Sequence, residues 1–115
     1  MYFNVQVIGS GKAVGSHVVE SMELEKEMGV QRGWIEKATG IKSRYYVDIR
    51  KNESALSLGI EAAEQAIQKS GLSTEDIDCI IGANGSPMQA IPCAASLFQR
   101  ELGLEDSGIP CFDVD

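Results

Sequence analysis

The chain has three cysteines, Cys79, Cys93 and Cys111, and a cysteine thiolate is a strong biological nucleophile. Their odd number and the lack of Cys-x-x-Cys spacing predict neither a disulfide framework nor a zinc site. Cys93 falls at the expected start of a helix, where the helix dipole favours a thiolate. Because the only histidine, His17, lies far back in an expected loop, no Cys-His pair can be argued and a small buried residue is the default for Cys93. Cys79 and Cys111 fall in strand-like runs and are expected to be packing residues.

A second candidate for chemistry is the run Gly9-Ser10-Gly11-Lys12 after an expected strand, which suggests a phosphate-binding loop. The Walker pattern requires a glycine where this chain has Gln6 and a serine or threonine where it has Ala13. The dinucleotide fingerprint fails as well, because its third glycine would fall at Val14. The run is therefore interpreted as a plain turn.

Composition excludes several classes of function. The 115 residues suffice for one domain, and no apolar run approaches the ~20 residues of a membrane span. The formal net charge is −7 and the ten Lys and Arg residues are scattered, which argues against a nucleic-acid surface. The N-terminus lacks the pattern of a secretion signal, so a cytoplasmic protein in a reducing compartment is expected.

Hydrophobic periodicity and glycine stops predict the elements that position these residues. In chain order they are a strand over 2–8, a helix over 22–28 capped by Ser21, a helix over 31–38, an extended run over 44–47, a helix over 54–70, a strand over 76–83 buried on both faces, a helix with Pro92 in its first turn and its end at Gly103, and a strand from Ile109. This order predicts an α/β layered domain with parallel pairing over residues 1–115.

Three stretches carry a resemblance to a known family: Thr39-Gly40-Ile41-Lys42-Ser43-Arg44, the run from Ser70 to Gly103, and the closing Phe112-Asp113-Val114. Together they resemble β-ketoacyl-ACP synthase III, a condensing enzyme of thiolase fold. The resemblance implies an N-terminal part of a thiolase-like layered domain with a mixed, partly parallel sheet. In that family the catalytic cysteine follows the Phe-Asp-Val strand within a few residues, so it is expected just beyond Asp115. No catalytic residue is then expected within 1–115, and this piece is expected to be inactive alone.

The resemblance also implies two substrate-binding residues. In the family a tryptophan just upstream of the Thr-Gly-Ile motif stacks on the adenine of coenzyme A, and Trp34 occupies that place. The arginine that usually completes the adenine clamp is Ala38 here, and Lys37 or Lys42 is the cation that would partly replace it. The family residue before the Pro-x-Ala-Ala helix start reaches the floor of the partner subunit's acyl pocket, and here it is Ile91. A core residue beside Pro92 is the equally weighted alternative for Ile91.

The function implied by the resemblance is an acyltransferase that condenses acyl-CoA with malonyl-ACP to initiate fatty-acid or related synthesis. It implies a homodimer with no cofactor, while the composition and cysteine spacing already argue against a metal site, a nucleic-acid partner and a membrane. The loop Gly82-Ala83-Asn84-Gly85-Ser86-Pro87 departs from the Thr-rich loop usual in the family, which leaves the subtype and the acyl-chain preference open. The alternative from another class is a non-catalytic α/β interaction module derived from a split or truncated synthase.

Overall fold

The computed structural model describes residues 1–85 and 87–114, which group into two compact units. The larger unit consists of Met1–Ala13 with Ala55–Asp115, and the smaller unit is Val14–Ser54. The assignment of 1–115 to one thiolase-like domain stays a prediction. In the described part of the chain, no helix has both the length and the apolar character that a membrane crossing needs.

The smaller unit is built on a two-stranded antiparallel sheet. Strand β1, His17–Glu20, pairs with β2, Ser43–Tyr46, in a register that sets His17 opposite Tyr46. The extended run after the Thr-Gly-Ile motif is thus a strand, but the loop expected around His17 was wrong. The pair Val18-Val19 is too short to show strand periodicity by itself, and it becomes a strand because β2 supplies its hydrogen-bond partners.

Two short helices lie between these strands. Helix α1, Ser21–Met28, ends at Gly29 with φ 68°, and α2, Trp34–Thr39, ends at Gly40 with φ 75°, so both glycine stops are confirmed. Helix α2 begins three residues later than expected, because Gly33 lies at φ 84° in the left-handed region.

Ser21 is not the N-cap of α1, which is a correction. It is the first helical residue, and its hydroxyl donates to the carbonyl oxygen of Ile41 at 2.6 Å. Its amide donates to the carbonyl oxygen of Lys42 at 2.8 Å. The side chain therefore fastens the start of α1 to the chain that enters β2.

A carboxylate joins the two ends of the smaller unit. Glu53 accepts hydrogen bonds from the amides of Ser16 at 2.9 Å and Asp48 at 2.8 Å. The hydrogen bond from the Asp48 amide, and to a smaller extent that from the Ser16 amide, lowers the pKa of Glu53 below its usual value. The Arg50 side chain, which bonds the Asp48 carboxylate at 3.1 Å, likewise lowers the pKa of Asp48. These bonds fix the segment after β2 against the residue that precedes β1.

The larger unit contains a parallel βαβ crossover. Strand β3, Ile80–Ala83, pairs with β4, Cys111–Val114, and the connection passes through helix α4, Ala94–Glu101. The longest helix, α3, covers Ala55–Ser70. The expected parallel pairing, the long helix and the α/β class are confirmed. The expected end of the closing strand, Asp115, lies outside the described residues.

Strand β3 differs from its expected form in two respects. It begins at Ile80 instead of Asp76, because Thr74–Asp76 form a 3₁₀ turn in which the Asp76 carboxylate accepts from the Ser73 amide at 2.8 Å. That bond lowers the pKa of Asp76. The strand is not buried on both faces either, since 59% of Ile81 is exposed.

The first thirteen residues correct two expectations. No strand forms over 2–8 in the structure as described, because this segment pairs with no other described segment, and Tyr2 and Val5 are exposed.

Gly9 and Gly11 do not only form a turn, because both lie in close contact with the backbone of α3. A Cβ on Gly11 would lie 2.7 Å from the carbonyl carbon of Ala62, and a Cβ on Gly9 would overlap the carbonyl oxygen of Ala66. Two residues of extended chain and four residues of helix each cover about 6–7 Å. Gly9 and Gly11, two residues apart, can therefore contact Ala66 and Ala62, which lie one helical turn apart on α3.

The start of α4 is fixed from β4. The two carboxylate oxygens of Asp113 accept from the amides of Ala94 and Ala95, each at 2.8 Å. Gly82, opposite Asp113 in the parallel register, leaves room for this carboxylate, because a Cβ there would collide with its Oδ1. Cys93 is the N-cap of α4 and Pro92 precedes it. The expectation that Pro92 lies in the first helical turn was therefore wrong.

Candidate functional site

Among the described residues, no cysteine thiol is hydrogen-bonded to a side chain that could act as its base. Cys93 is half-buried, with its Sγ 3.2 Å from the Ser96 hydroxyl, and the Cys111 thiol donates to Oε1 of Gln99 at 3.2 Å. Serine and glutamine are not general bases at neutral pH. Cys79 is exposed just before β3, so its expected packing role was wrong. Within residues 1–85 and 87–114 no group of three or more His, Cys, Asp or Glu side chains is arranged to hold a metal ion.

An apolar cavity of about 270 Å³ lies in the larger unit between β3, the loop that follows it, and helices α3 and α4. Its lining includes Leu56, Met88 and Phe98. One lining residue, Asn84, has a buried Oδ1 without a hydrogen-bond partner among the described residues. The mainly apolar lining means that the cavity can take an apolar group.

Ile91 does not line this cavity. The residue is 88% exposed, so it is not a core residue of this chain beside Pro92. A residue that reaches into a partner subunit needs such exposure in the single chain, but its place at an acyl-pocket floor stays a prediction.

Trp34 opens α2 with one face of the helix buried and the other in solvent. Trp34 is 52% exposed, whereas the next residue, Ile35, is buried with only 9% of its surface exposed. The Trp34 amide donates to the carbonyl oxygen of Gln31 at 3.1 Å. The buried isoleucine anchors the helix, and the indole remains accessible for stacking on a planar group.

Glu25 was missed by sequence reasoning. It lies on α1 with 2% exposure, and its Oε2 accepts from the Gly33 amide at 2.7 Å while its Oε1 accepts from the Ile35 amide at 2.8 Å. Helix α2 has no side-chain cap from its own N-cap residue, so this carboxylate satisfies two amides at its start. Helix α1 also contains Glu23 and Glu27, and nothing in its sequence marks Glu25 as the buried one.

The cations expected near Trp34 differ in their surroundings. Lys37 and Ala38 follow Trp34 by three and four residues, so both positions share its face of α2. Lys42 Nζ lies 3.6 Å from Glu36 Oε1 in an exposed pair, which is a weak interaction. The alanine leaves space where the resemblance implies an arginine, and Lys37 is the cation nearest to the indole along the helix.

Known proteins match this chain along most of its length. No family model matches it. A β-ketoacyl-ACP synthase III from Natranaerobius thermophilus is 36% identical over 104 residues, covering 90% of this chain and 31% of that protein. One from Clostridium acetobutylicum is 35% identical over 112 residues, covering 97% of this chain and 33% of that protein. The chain thus spans about a third of the length of these relatives.

Solved structures agree with the sequence matches. The 3-oxoacyl-ACP synthase III from Aquifex aeolicus superimposes with a TM-score of 0.83 and 31% identity, over 95% of this chain and 34% of that one. A priming β-ketosynthase of the R1128 polyketide pathway gives a TM-score of 0.83 at 24% identity, over 95% of this chain and 31% of that one, which supports the fold alone. The chain is therefore a relative of β-ketoacyl-ACP synthase III that corresponds to an N-terminal third of those proteins and shares their thiolase-like fold.

Proposed function

We propose that this chain is the N-terminal part of an acyltransferase that condenses acyl-CoA with malonyl-ACP. The observation that carries the proposal is the 36% identity to β-ketoacyl-ACP synthase III over 90% of the chain. The described thiols contact no general base, so the share of these residues in the reaction is to bind substrate and to hold the fold. A homodimer in the cytoplasm is part of the same proposal, and the three free cysteines support a reducing compartment.

The adenine of coenzyme A is proposed to stack on Trp34. Support comes from the half-exposed indole, from the short helix that Ile35 anchors, and from Lys37 on the same helical face. An indole presents a large flat surface, and a cation beside it adds attraction for the adjoining phosphates. A lysine lacks the planar guanidinium that stacks on a base, so this site relies mainly on the indole.

Trp34→Ala in the complete gene product is expected to raise KM for acyl-CoA roughly tenfold with little change in kcat, because base stacking on an aromatic ring is worth about 1–3 kcal/mol. The measurement is steady-state condensation with acyl-CoA and, in parallel, with the acyl-pantetheine thioester, which lacks adenine. Trp34→Phe is the matched control and should retain most of the affinity. Equal KM values for acyl-CoA in the wild type and the alanine variant would contradict the adenine site.

The exposed Ile91 is proposed to set the depth of the partner subunit's acyl pocket. Isoleucine is smaller than the phenylalanine that restricts chain length in the family, so primers longer than acetyl should be accepted. Each further buried methylene is expected to improve kcat/KM up to about fourfold, from about 0.8 kcal/mol of transfer free energy. Acetyl-, butyryl- and octanoyl-CoA are compared as primers with the wild type and with Ile91→Phe. A strict acetyl preference that Ile91→Phe leaves unchanged would remove this role.

A non-catalytic interaction module is the second candidate, and the exposed apolar side chains favour it. Phe3, Val7 and Ile91 are exposed by 74%, 85% and 88%, which is typical of a surface that another chain covers. The two candidates differ in one measurement. A complete gene product that assembles with a partner but transfers no acyl group from acyl-CoA would support the module, and turnover would exclude it.

A further inference from the structure

We propose that Glu25 is a positioning residue that holds the Trp34 indole ready to stack on the adenine of acyl-CoA. The inference rests on the proposed function, because it assigns a second residue to the same substrate site. Glu25 itself has no access to substrate, since only 2% of it is exposed. It acts through the backbone on either side of the tryptophan.

The geometry places the two oxygens of one carboxylate on the two amides that flank Trp34. Oε2 takes the Gly33 amide at 2.7 Å, and Oε1 takes the Ile35 amide at 2.8 Å. The amide of Trp34 itself is held by the Gln31 carbonyl at 3.1 Å. Three consecutive amides around the indole are therefore bonded.

The backbone of Glu25 reinforces the same connection. Its carbonyl oxygen accepts from the amide of Val30 at 3.0 Å, next to the Gly29 stop of α1. The turn between the two helices is thus tied to Glu25 by both its main chain and its side chain. This arrangement gives a six-residue helix, which would be unstable alone, a fixed start.

A fixed start matters because stacking requires a defined ring orientation. Gly33 has φ 84° and no side chain of its own that could pack and fix this corner. Without the carboxylate the corner would gain conformational freedom, and ordering the indole would then cost binding free energy. Glu25 is expected to contribute to affinity for the adenine nucleotide and not for the acyl-pantetheine part.

The test uses Glu25→Gln in the complete gene product, because glutamine keeps the shape but offers one accepting oxygen instead of two. The expected result is a rise in KM of roughly fivefold for acyl-CoA and no change for the acyl-pantetheine thioester. In a Trp34→Ala background, Glu25→Gln should change neither value further. Should the glutamine variant fail to fold, Glu25→Asp supplies the same comparison, because its shorter side chain keeps both oxygens but cannot reach both amides.

Thr39→Val is the matched control at the other end of α2. The Thr39 hydroxyl donates to the Ile35 carbonyl at 2.7 Å and accepts from the Ile41 amide at 3.1 Å, so its loss loosens the helix without touching the amides beside Trp34. Equal increases of KM for both substrates in Glu25→Gln, or the same acyl-CoA effect from Thr39→Val, would overturn the positioning role. If Trp34→Ala itself leaves acyl-CoA binding intact, the adenine site fails first, and the positioning role falls with it.

Discussion

Gly11→Ala is expected to lower the free energy of unfolding of this chain by about 3 kcal/mol, at the upper end of what overpacking usually costs. The new Cβ would overlap the carbonyl oxygen of Ala62 and lie 2.7 Å from its carbon. These atoms belong to the backbone of α3, so no side-chain rotation relieves the overlap. The segment before the smaller unit must lift from the helix, which also strains the hydrogen bond from the Lys12 amide to Gln65 at 3.2 Å.

Urea unfolding followed by circular dichroism measures this effect. Gly85→Ala is the matched control, because it makes the same change where a Cβ meets nothing within 4 Å and no positive φ is required. It should alter the free energy of unfolding by no more than about 0.5 kcal/mol, as an open surface site does. Similar losses in both variants would show that the close approach of Gly11 to α3 contributes nothing special.

Asp113→Ala is the second change expected to have a large effect, with a loss of about 3 kcal/mol of unfolding free energy. Two hydrogen bonds to a carboxylate disappear, and each is worth about 1.5–3 kcal/mol. One of the amides left without a partner belongs to Ala95, which has no exposed surface. Asp113→Asn should lose about half as much, because its single carbonyl oxygen can serve one of the two amides.

The control for charge is Asp78→Asn, because Asp78 is exposed. This substitution removes the same negative charge from a chain of net charge −7. Its effect should be within about 0.5 kcal/mol. Hydrogen exchange adds a local readout, because the amides of α4 should lose protection in Asp113→Ala more than those of α1. Unchanged protection in α4 would contradict the role of Asp113 in fixing that helix.

Local sequence signals were sufficient for several elements. The periodicity of α3, the stops at Gly29 and Gly40, and the parallel order around α4 were all predicted correctly. The helix signals depend on residues within a few positions, such as apolar side chains one helical turn apart or a glycine that adopts a positive φ. The parallel pairing was predicted from the order of the elements along the chain. The resemblance in Thr39-Gly40-Ile41 and Phe112-Asp113-Val114 likewise indicated the family that the comparisons confirm.

Partners distant in sequence were decided only by the tertiary structure. Strand β1 exists because β2 lies beside it, whereas the alternating residues 2–8 find no partner in the described chain. Asp113 is bonded to amides 18 and 19 residues away, and Glu25 to amides 8 and 10 residues away. A carboxylate in a sequence has the same acceptors whether it faces water or a helix start. Its role is set by which backbone amides the fold brings within about 3 Å of its oxygens.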